Sequence, residues 1–191
     1  MNLVRHNEYH KTEYNRHPII FNAVKEIIGE PKKIMSFGCS IGCECIALAE
    51  TFPTAQIFGV EIDDLALSEA KRYHPHESIT YTKAPVGDNY DAIFCMNVLC
   101  KHPDTYRIDD CSEIYPFENF EFESGNLANR LRVNGVLALF NTNYFFGDTK
   151  WAKEFSAIDI STAAEEHVSK FDREGKRTKR SNKEYIFLKT A

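Results

Sequence analysis

The chain has no run of about 18 consecutive apolar residues, the length that a membrane-spanning helix requires. Its opening stretch, "MNLVRHNEYHKTEYNRH", is polar and holds no apolar core of the kind found in a secretory leader. A cytoplasmic location without a membrane partner is therefore expected. No Cys-x-x-Cys pair recurs: Cys43 and Cys45 are only two positions apart, and Cys39, Cys95, Cys100 and Cys111 stand singly. This spacing argues against a disulfide or zinc framework, and no metal is expected. Cys39, Cys95 and Cys100 sit in or beside apolar runs, where free cysteine behaves as a small buried hydrophobe. Internal repeats and low-complexity linkers are absent, so nothing divides the chain. An excess of positive charge is absent as well: the formal net charge is -5, which speaks against a general nucleic-acid binder.

What the sequence does contain fits an ordinary globular protein: 191 residues, 43% hydrophobic and 27% charged, enough for one domain with a substantial core. The charge is uneven. "DDCSEIYPFENFEFE" from Asp109 is acidic, whereas "KFDREGKRTKRSNK" from Lys170 to Lys183 is basic. The basic stretch is expected to form a solvated hairpin leading to the edge of a sheet, where lysines discourage strand-to-strand aggregation.

Pro18 followed by "IIFNAVKEII" and closed by Gly29 predicts a helix, with proline at its first position and glycine past its end. "KKIMSF" then predicts a strand, "CECIALAETF" a helix, "QIFGVEI" a strand, "DDLALSEAKRYH" a helix, and "SITYT" a short strand. "YDAIFCMNV" is apolar almost throughout, as in a parallel strand covered on both faces. A helix is expected from Pro116 to Leu131, and a strand, "NGVLALFNT", after an Asn-Gly turn. "FSAIDIS" and "EYIFLKT" complete the set as two more strands, with a helix or loop between Gly147 and Glu154. This alternation predicts an α/β three-layer sandwich around a mostly parallel sheet. In such sheets ligands bind beyond the carboxyl ends of the strands, where the strand order reverses. Residues 37–44, 61–63, 83–88, 95–102 and 141–147 should then share one rim.

The first strand runs into "GCSIG". Gly38 and Gly42 do not have the Gly-x-Gly-x-x-Gly spacing that admits a dinucleotide pyrophosphate, because Ser40 stands at the middle position and no third glycine follows. No Gly-Lys-Ser or Gly-Lys-Thr follows either, so a P-loop is excluded. Glu61, at the end of the second strand, is placed to accept hydrogen bonds from a ribose diol. A glycine turn paired with such an acid, without phosphate-binding residues, suits S-adenosylmethionine. The expected contacts include the turn residues Gly38, Cys39, Ser40 and Gly42, and Ile62 beside Glu61.

Three segments together resemble the chemotaxis-receptor glutamate methyltransferases, within the class I S-adenosylmethionine-dependent methyltransferases. "TEYNRHPIIF" is similar to that family's Thr-x-Phe-Phe-Arg-x-Pro segment. "GCSIGCECIALA" is similar to its Gly-Cys-Ser-Thr-Gly-Glu-Glu-Pro-Tyr-Ser-x-Ala loop, and "YDAIFCMNVLCKHPD" to its Phe-Asp-x-Ile-x-Cys-Arg-Asn-Val-Leu strand. The resemblance implies a Rossmann-like methyltransferase domain over residues 1–191, with a seven-stranded sheet whose last strand is antiparallel. Residues 1–30 would form an arm and helix covering the cofactor site. It also implies that Arg16 pairs with the methionine carboxylate, that Glu44 lies near the methionyl amino group, and that Asn97 and Val98 contact the cofactor. Cys43, Cys45 and Ile46 depart from the family loop, and Lys101 and His102 from its Tyr-Phe. Too few residues lie between Lys71 and Gly87 for the family's receptor-docking β-subdomain. Fold and cofactor are therefore expected to transfer, and the receptor substrate is not.

Methyl transfer from a sulfonium requires alignment of the nucleophile with the S–CH3 bond and exclusion of water. A carboxylate acceptor is already nucleophilic at neutral pH, whereas a hydroxyl or amine gains from a general base. His102, after the fourth strand, is the candidate base, since imidazole titrates near neutrality. Tyr144, with Asn141, is the candidate lining of the acceptor pocket, and Phe145, Phe146 and Trp151 its apolar wall. The expected activity is methyl transfer to an unidentified acceptor, with a small molecule favoured and nucleic acid disfavoured. A non-catalytic S-adenosylmethionine-binding regulator is the alternative, followed by a nucleic-acid methyltransferase using the basic stretch.

Overall fold

Pro18 supplies a preset φ at the first turn of helix α1 (Pro18–Ile28), and Gly29 ends it at φ +66°. The helix turns Ile20, Phe21 and Val24 inward. In this computed structural model, which describes residues 5–7, 12–160, 166–180 and 184–191, the chain then alternates strand and helix. Strand β1 (Lys33–Phe37) leads into α2 (Cys43–Thr51), β2 (Gln56–Val60) into α3 (Asp64–Tyr73), and β3 (Ile79–Thr82) into β4 (Tyr90–Met96). Helix α4 (Phe117–Arg130) then leads into β5 (Leu131–Phe140), followed by two short 3-10 turns, β6 (Phe155–Asp159) and β7 (Glu184–Lys189). Asp63 caps α3, its carboxylate accepting from the amides of Leu65 and Ala66 at 3.0 and 2.9 Å.

The seven strands form one sheet in the order β3-β2-β1-β4-β5-β7-β6. The pairs from β3 to β5 are parallel, and β7 runs antiparallel to both β5 and β6. All seven residues of β4 are buried. Alternate residues supply opposite faces, Ala92, Phe94 and Met96 packing with α1 and α2, and Ile93 and Cys95 with α4. The expected α/β three-layer sandwich is thus present, with a mostly parallel seven-stranded sheet and an antiparallel last strand. Because β1 lies between β2 and β4, the strand order reverses beside it, which fixes where a ligand crevice opens.

Two expectations change. Asn134-Gly135 does not precede β5 but lies within it, where the pairing with β4 shifts register between Tyr90 and Ala92. A Cβ on Gly135 would come within 2.9 Å of the Tyr90 carbonyl, so the glycine permits a close approach of backbones inside a strand. The basic stretch does not lead to a sheet edge, because β7 is interior and β6 forms the border. Instead it folds onto the acidic segment: Phe171 bridges to Arg177, Asp110 bridges to Lys176, and Cys111 N–H donates to the Gly175 carbonyl at 2.9 Å. The remainder of the expected hairpin, and parts of the N-terminal arm, fall on residues 181–183, 1–4 and 8–11, outside the described residues.

Candidate active site

A cavity opens where the carboxyl ends of β1, β2 and β4 meet, and it encloses about 930 Å³ of empty space including its mouth. The turn after β1 forms its floor. Gly38, at φ +75°, crosses beneath Val98, whose side chain would overlap any Cβ placed there. Gly42 begins α2 at φ +93°, and a Cβ on it would press into the Tyr81 hydroxyl. Both glycines are required by geometry. Between them Ser40 takes φ +49°, with its hydroxyl buried and without a hydrogen-bond partner among the described residues.

Glu61 follows β2 and is buried. Its two carboxylate oxygens each accept a backbone amide, from Ser40 at 2.9 Å and Asp63 at 2.8 Å. Each oxygen has capacity for a further donor. The acid therefore ties the β1 turn to the β2 turn and presents its remaining lone pairs at the cavity wall, beside Ile62.

Arg16, Glu44, His17 and Asn97 form the second polar group. Glu44, on the first turn of α2, accepts a hydrogen bond from the Ser36 hydroxyl at 2.7 Å. Burial pushes its carboxyl up to about 7, while Ser36 and the Arg16 charge pull in the other direction. Arg16 Nε donates to His17 Nε2 at 3.2 Å, and Asn97 Nδ2 donates to the same nitrogen at 3.0 Å. Nε2 therefore carries the lone pair, and burial, reinforced by Arg16, lowers His17 to about 4. Asn97 itself sits at φ +61° after β4, its amide nitrogen bonded to the Phe140 carbonyl at 2.9 Å and its side-chain oxygen accepting from Asn141.

The structure thus gathers Arg16, Gly38, Cys39, Ser40, Glu44, Glu61, Ile62, Asn97 and Val98 around one cavity, with Gly42 shaping the turn behind it. Comparisons with known proteins give only distant likenesses. No family model and no curated protein matches the chain. Among solved structures, it is similar to the plantazolicin methyltransferase BpumL in complex with SAH, at 14% identity over 64% of this chain and 45% of that one, TM-score 0.46. It is similar to the sugar N-methyltransferase KedS8 from Streptoalloteichus sp ATCC 53650, at 21% identity over 67% and 47%, TM-score 0.48. It is also similar to DesVI from Streptomyces venezuelae, at 15% identity over 74% and 55%, TM-score 0.48. The chain spans about half the length of each of these proteins.

The two residues expected to act on the acceptor lie elsewhere. Tyr144 is fully buried in an aromatic cluster with Tyr115, Phe117, Phe120 and Phe171, its hydroxyl donating to the Tyr115 carbonyl and 3.2 Å from Cys111 Sγ. The chain turns back after β5, and this carries the ring into the core instead of the rim. His102 is only partly buried and is not part of the cavity wall; its ring packs edge-on to Tyr106. Phe145 and Phe146 are buried, Phe146 against Phe155 and Phe187, and Trp151 donates to the Glu121 carbonyl at 3.1 Å on α4.

In their place the wall includes His6, Asn7 and Thr12 from the N-terminal arm, Lys83 and Pro85 after β3, and Glu123 from α4. Nothing in the local sequence marks the first three, because the arm has no periodicity and the hydrogen bonds of His6 and Asn7 reach Tyr115 and Asn97, far along the chain. Glu123 was legible only as part of an acidic helix. The basic stretch meets acidic partners within the chain: Lys176 pairs with Asp110, Arg180 with Asp148 at 2.7 Å, and buried Lys170 with Glu166 at 2.8 Å. Among the described residues no group of three or more His, Cys, Asp or Glu gathers as a metal site, and no helix is long and apolar enough to cross a membrane.

Proposed function

We propose that the chain is an S-adenosylmethionine-dependent methyltransferase acting on a small-molecule acceptor. The observation that carries this reading is one cavity with two separate polar ends: Glu61 beside the β1 turn, and Arg16 with Glu44 about the end of β4 and the start of α2. A nucleoside bearing an amino-acid tail matches both. Glu61 accepts from the ribose hydroxyls, Ser40 offers its unpartnered hydroxyl, Arg16 binds the carboxylate and Glu44 the ammonium. The role of Arg16 follows the resemblance to the receptor glutamate methyltransferases, and His17 and Asn97 hold its guanidinium in place. A phosphate-rich dinucleotide fits poorly, because two of the acids on the wall would face its charges.

S-adenosylmethionine supplies an electrophilic methyl group when bound. The protein's part is to fix the nucleophile in line with it and to keep water out; Asn7 contributes to the wall, its Nδ2 donating to the Asn97 carbonyl at 2.8 Å. The test is calorimetry with S-adenosylhomocysteine and adenosine. Micromolar binding of the former, about 8 kcal/mol, is expected, with weaker binding of the latter. No heat and no thermal stabilisation at millimolar ligand would refute the reading.

A further inference from the structure

His6 is 3% exposed yet forms part of the cavity wall. Its Nδ1 lies 2.7 Å from the Tyr115 hydroxyl, and its ring packs edge-on against that phenol. Its Nε2 is buried without a hydrogen-bond partner among the described residues. The nearest charge, Glu123 Oε2, is 3.6 Å away, beyond hydrogen-bond reach. Glu123 also lines the cavity, and no lysine or arginine among the described residues forms an ion pair with it. The other charges on the wall are held at different places: Arg5 pairs with Asp63, Lys83 with Asp64 at 2.6 Å, and Arg16, Glu44 and Glu61 belong to the cofactor ends.

Resting on the methyltransferase reading, we propose that His6 and Glu123 form the acceptor subsite, that the acceptor is an amine, and that His6 is the catalytic residue that takes its proton. An ammonium has more than one N–H and can donate to Nε2 and to Oε2 across the gap between them. A hydroxyl has one proton and a carboxylate none, so neither satisfies both atoms.

His6 is assigned the tautomer in which Nδ1–H donates to the Tyr115 oxygen, 2.7 Å away, so that Nε2 offers its lone pair to the cavity. The proton of the bound ammonium passes to Nε2, leaving a free amine. The amine lone pair then forms the N–C bond to the sulfonium methyl group as the C–S bond breaks and its electron pair stays on sulfur. The product leaves as an N-methylammonium, and the imidazolium, with Nε2–H turned to Glu123, returns its proton to solvent. Tyr115 is itself pushed well above the ordinary tyrosine range by burial, so it stays a neutral partner throughout.

The experiment measures binding of benzylamine, benzyl alcohol and benzoate to the protein saturated with S-adenosylhomocysteine, with histidine ¹⁵N resonances recorded in parallel. The amine is expected to bind at least tenfold more tightly than either analogue and to shift the His6 Nε2 resonance, as a hydrogen bond donated to its lone pair requires. Glu123→Gln should remove most of that preference while leaving S-adenosylhomocysteine affinity within twofold. His6→Gln should weaken the amine at least tenfold with the same small effect on S-adenosylhomocysteine. Equal binding of the three probes, an unmoved His6 resonance, or a parallel loss of both ligands in His6→Gln overturns the assignment. If His6→Gln does not fold, the more exposed Glu123 variant decides the matter. Failure of S-adenosylhomocysteine to bind overturns the methyltransferase reading and this one together, whereas its binding without an amine preference overturns only the acceptor subsite.

Discussion

Asn97 Nδ2 donates to His17 Nε2 at 3.0 Å, joining the left-handed residue after β4 to the residue that opens α1. The same nitrogen receives Arg16 Nε, and the His17 carbonyl accepts the first intrahelical bonds of α1, from Ile20 and Phe21 at 3.1 and 3.2 Å. The His17 ring, at the N-cap position of α1, thus links Asn97 to Arg16. Replacing Asn97 with Ala should weaken S-adenosylhomocysteine more than adenosine, by about 1 kcal/mol, because the loss reaches the ligand's carboxylate end through Arg16. Equal effects on the two ligands in a calorimetric titration would contradict this path.

Arg16→Ala removes the guanidinium itself. The expected cost is about 1.5 to 3 kcal/mol in binding S-adenosylhomocysteine, the range for a hydrogen bond to a charged group, with adenosine unaffected. Arg16→Lys should recover part of the loss, since lysine keeps the charge without the planar fork. A surface arginine with no ligand role would leave both affinities unchanged.

Glu61→Ala should weaken adenosine and S-adenosylhomocysteine together, because in the proposed function the carboxylate holds the ribose that both ligands share. It should also lower the thermal midpoint, as the Ser40 and Asp63 amides lose their acceptor. An unchanged adenosine affinity in the folded variant would remove Glu61 from the site.

Glu44 sets a pH dependence. Its carboxyl is raised from the ordinary glutamate range to about 7 by burial. Stability from a raised group is complete below its unfolded-state value and declines as pH rises through its folded-state value. The apoprotein should therefore lose stability between about pH 4.5 and pH 7 through this residue. Glu44→Gln should flatten that slope in thermal unfolding. A ligand ammonium favours the ionised form, so S-adenosylhomocysteine affinity should rise between about pH 6 and pH 8 by up to about tenfold, and the rise should vanish in Glu44→Gln.

His17 works in the opposite sense. Its value is lowered to about 4, so its stabilising effect is present above the unfolded value near 6.5 and is lost as pH falls towards 4. Protonation turns Nε2 from acceptor to donor and repels Arg16. In a Glu44→Gln background, the remaining acid sensitivity between about pH 6.5 and pH 4 should shrink when His17 is replaced by Asn. An acid limb unchanged by that replacement would assign the sensitivity to other groups.

Local sequence determined most of the scaffold. Proline and glycine bracket α1, the apolar run of β4 marks a strand covered on both faces, and the Gly38–Gly42 turn with Glu61 locates the ligand crevice. In each case the cause acts within a few residues, through φ restriction, side-chain period or capping. Asn134-Gly135 looked like a turn by the same local rule, but pairing with β4 absorbed it as an irregularity inside β5. Tertiary structure alone decided the rest. β7 became interior because it pairs with both β5 and β6, while Ile186 packs with α1 on one face of the sheet and Phe187 with Phe146 on the other. Tyr144 went to the core because burying its ring with four other aromatic residues outweighs keeping it at the rim. His6 and Glu123 stand 117 positions apart in sequence, in an arm without periodicity and an amphipathic helix, so no local pattern joins them. They meet because His6 and α4 both reach the cavity at the carboxyl end of the sheet, a proximity set by topology and by packing around Tyr115.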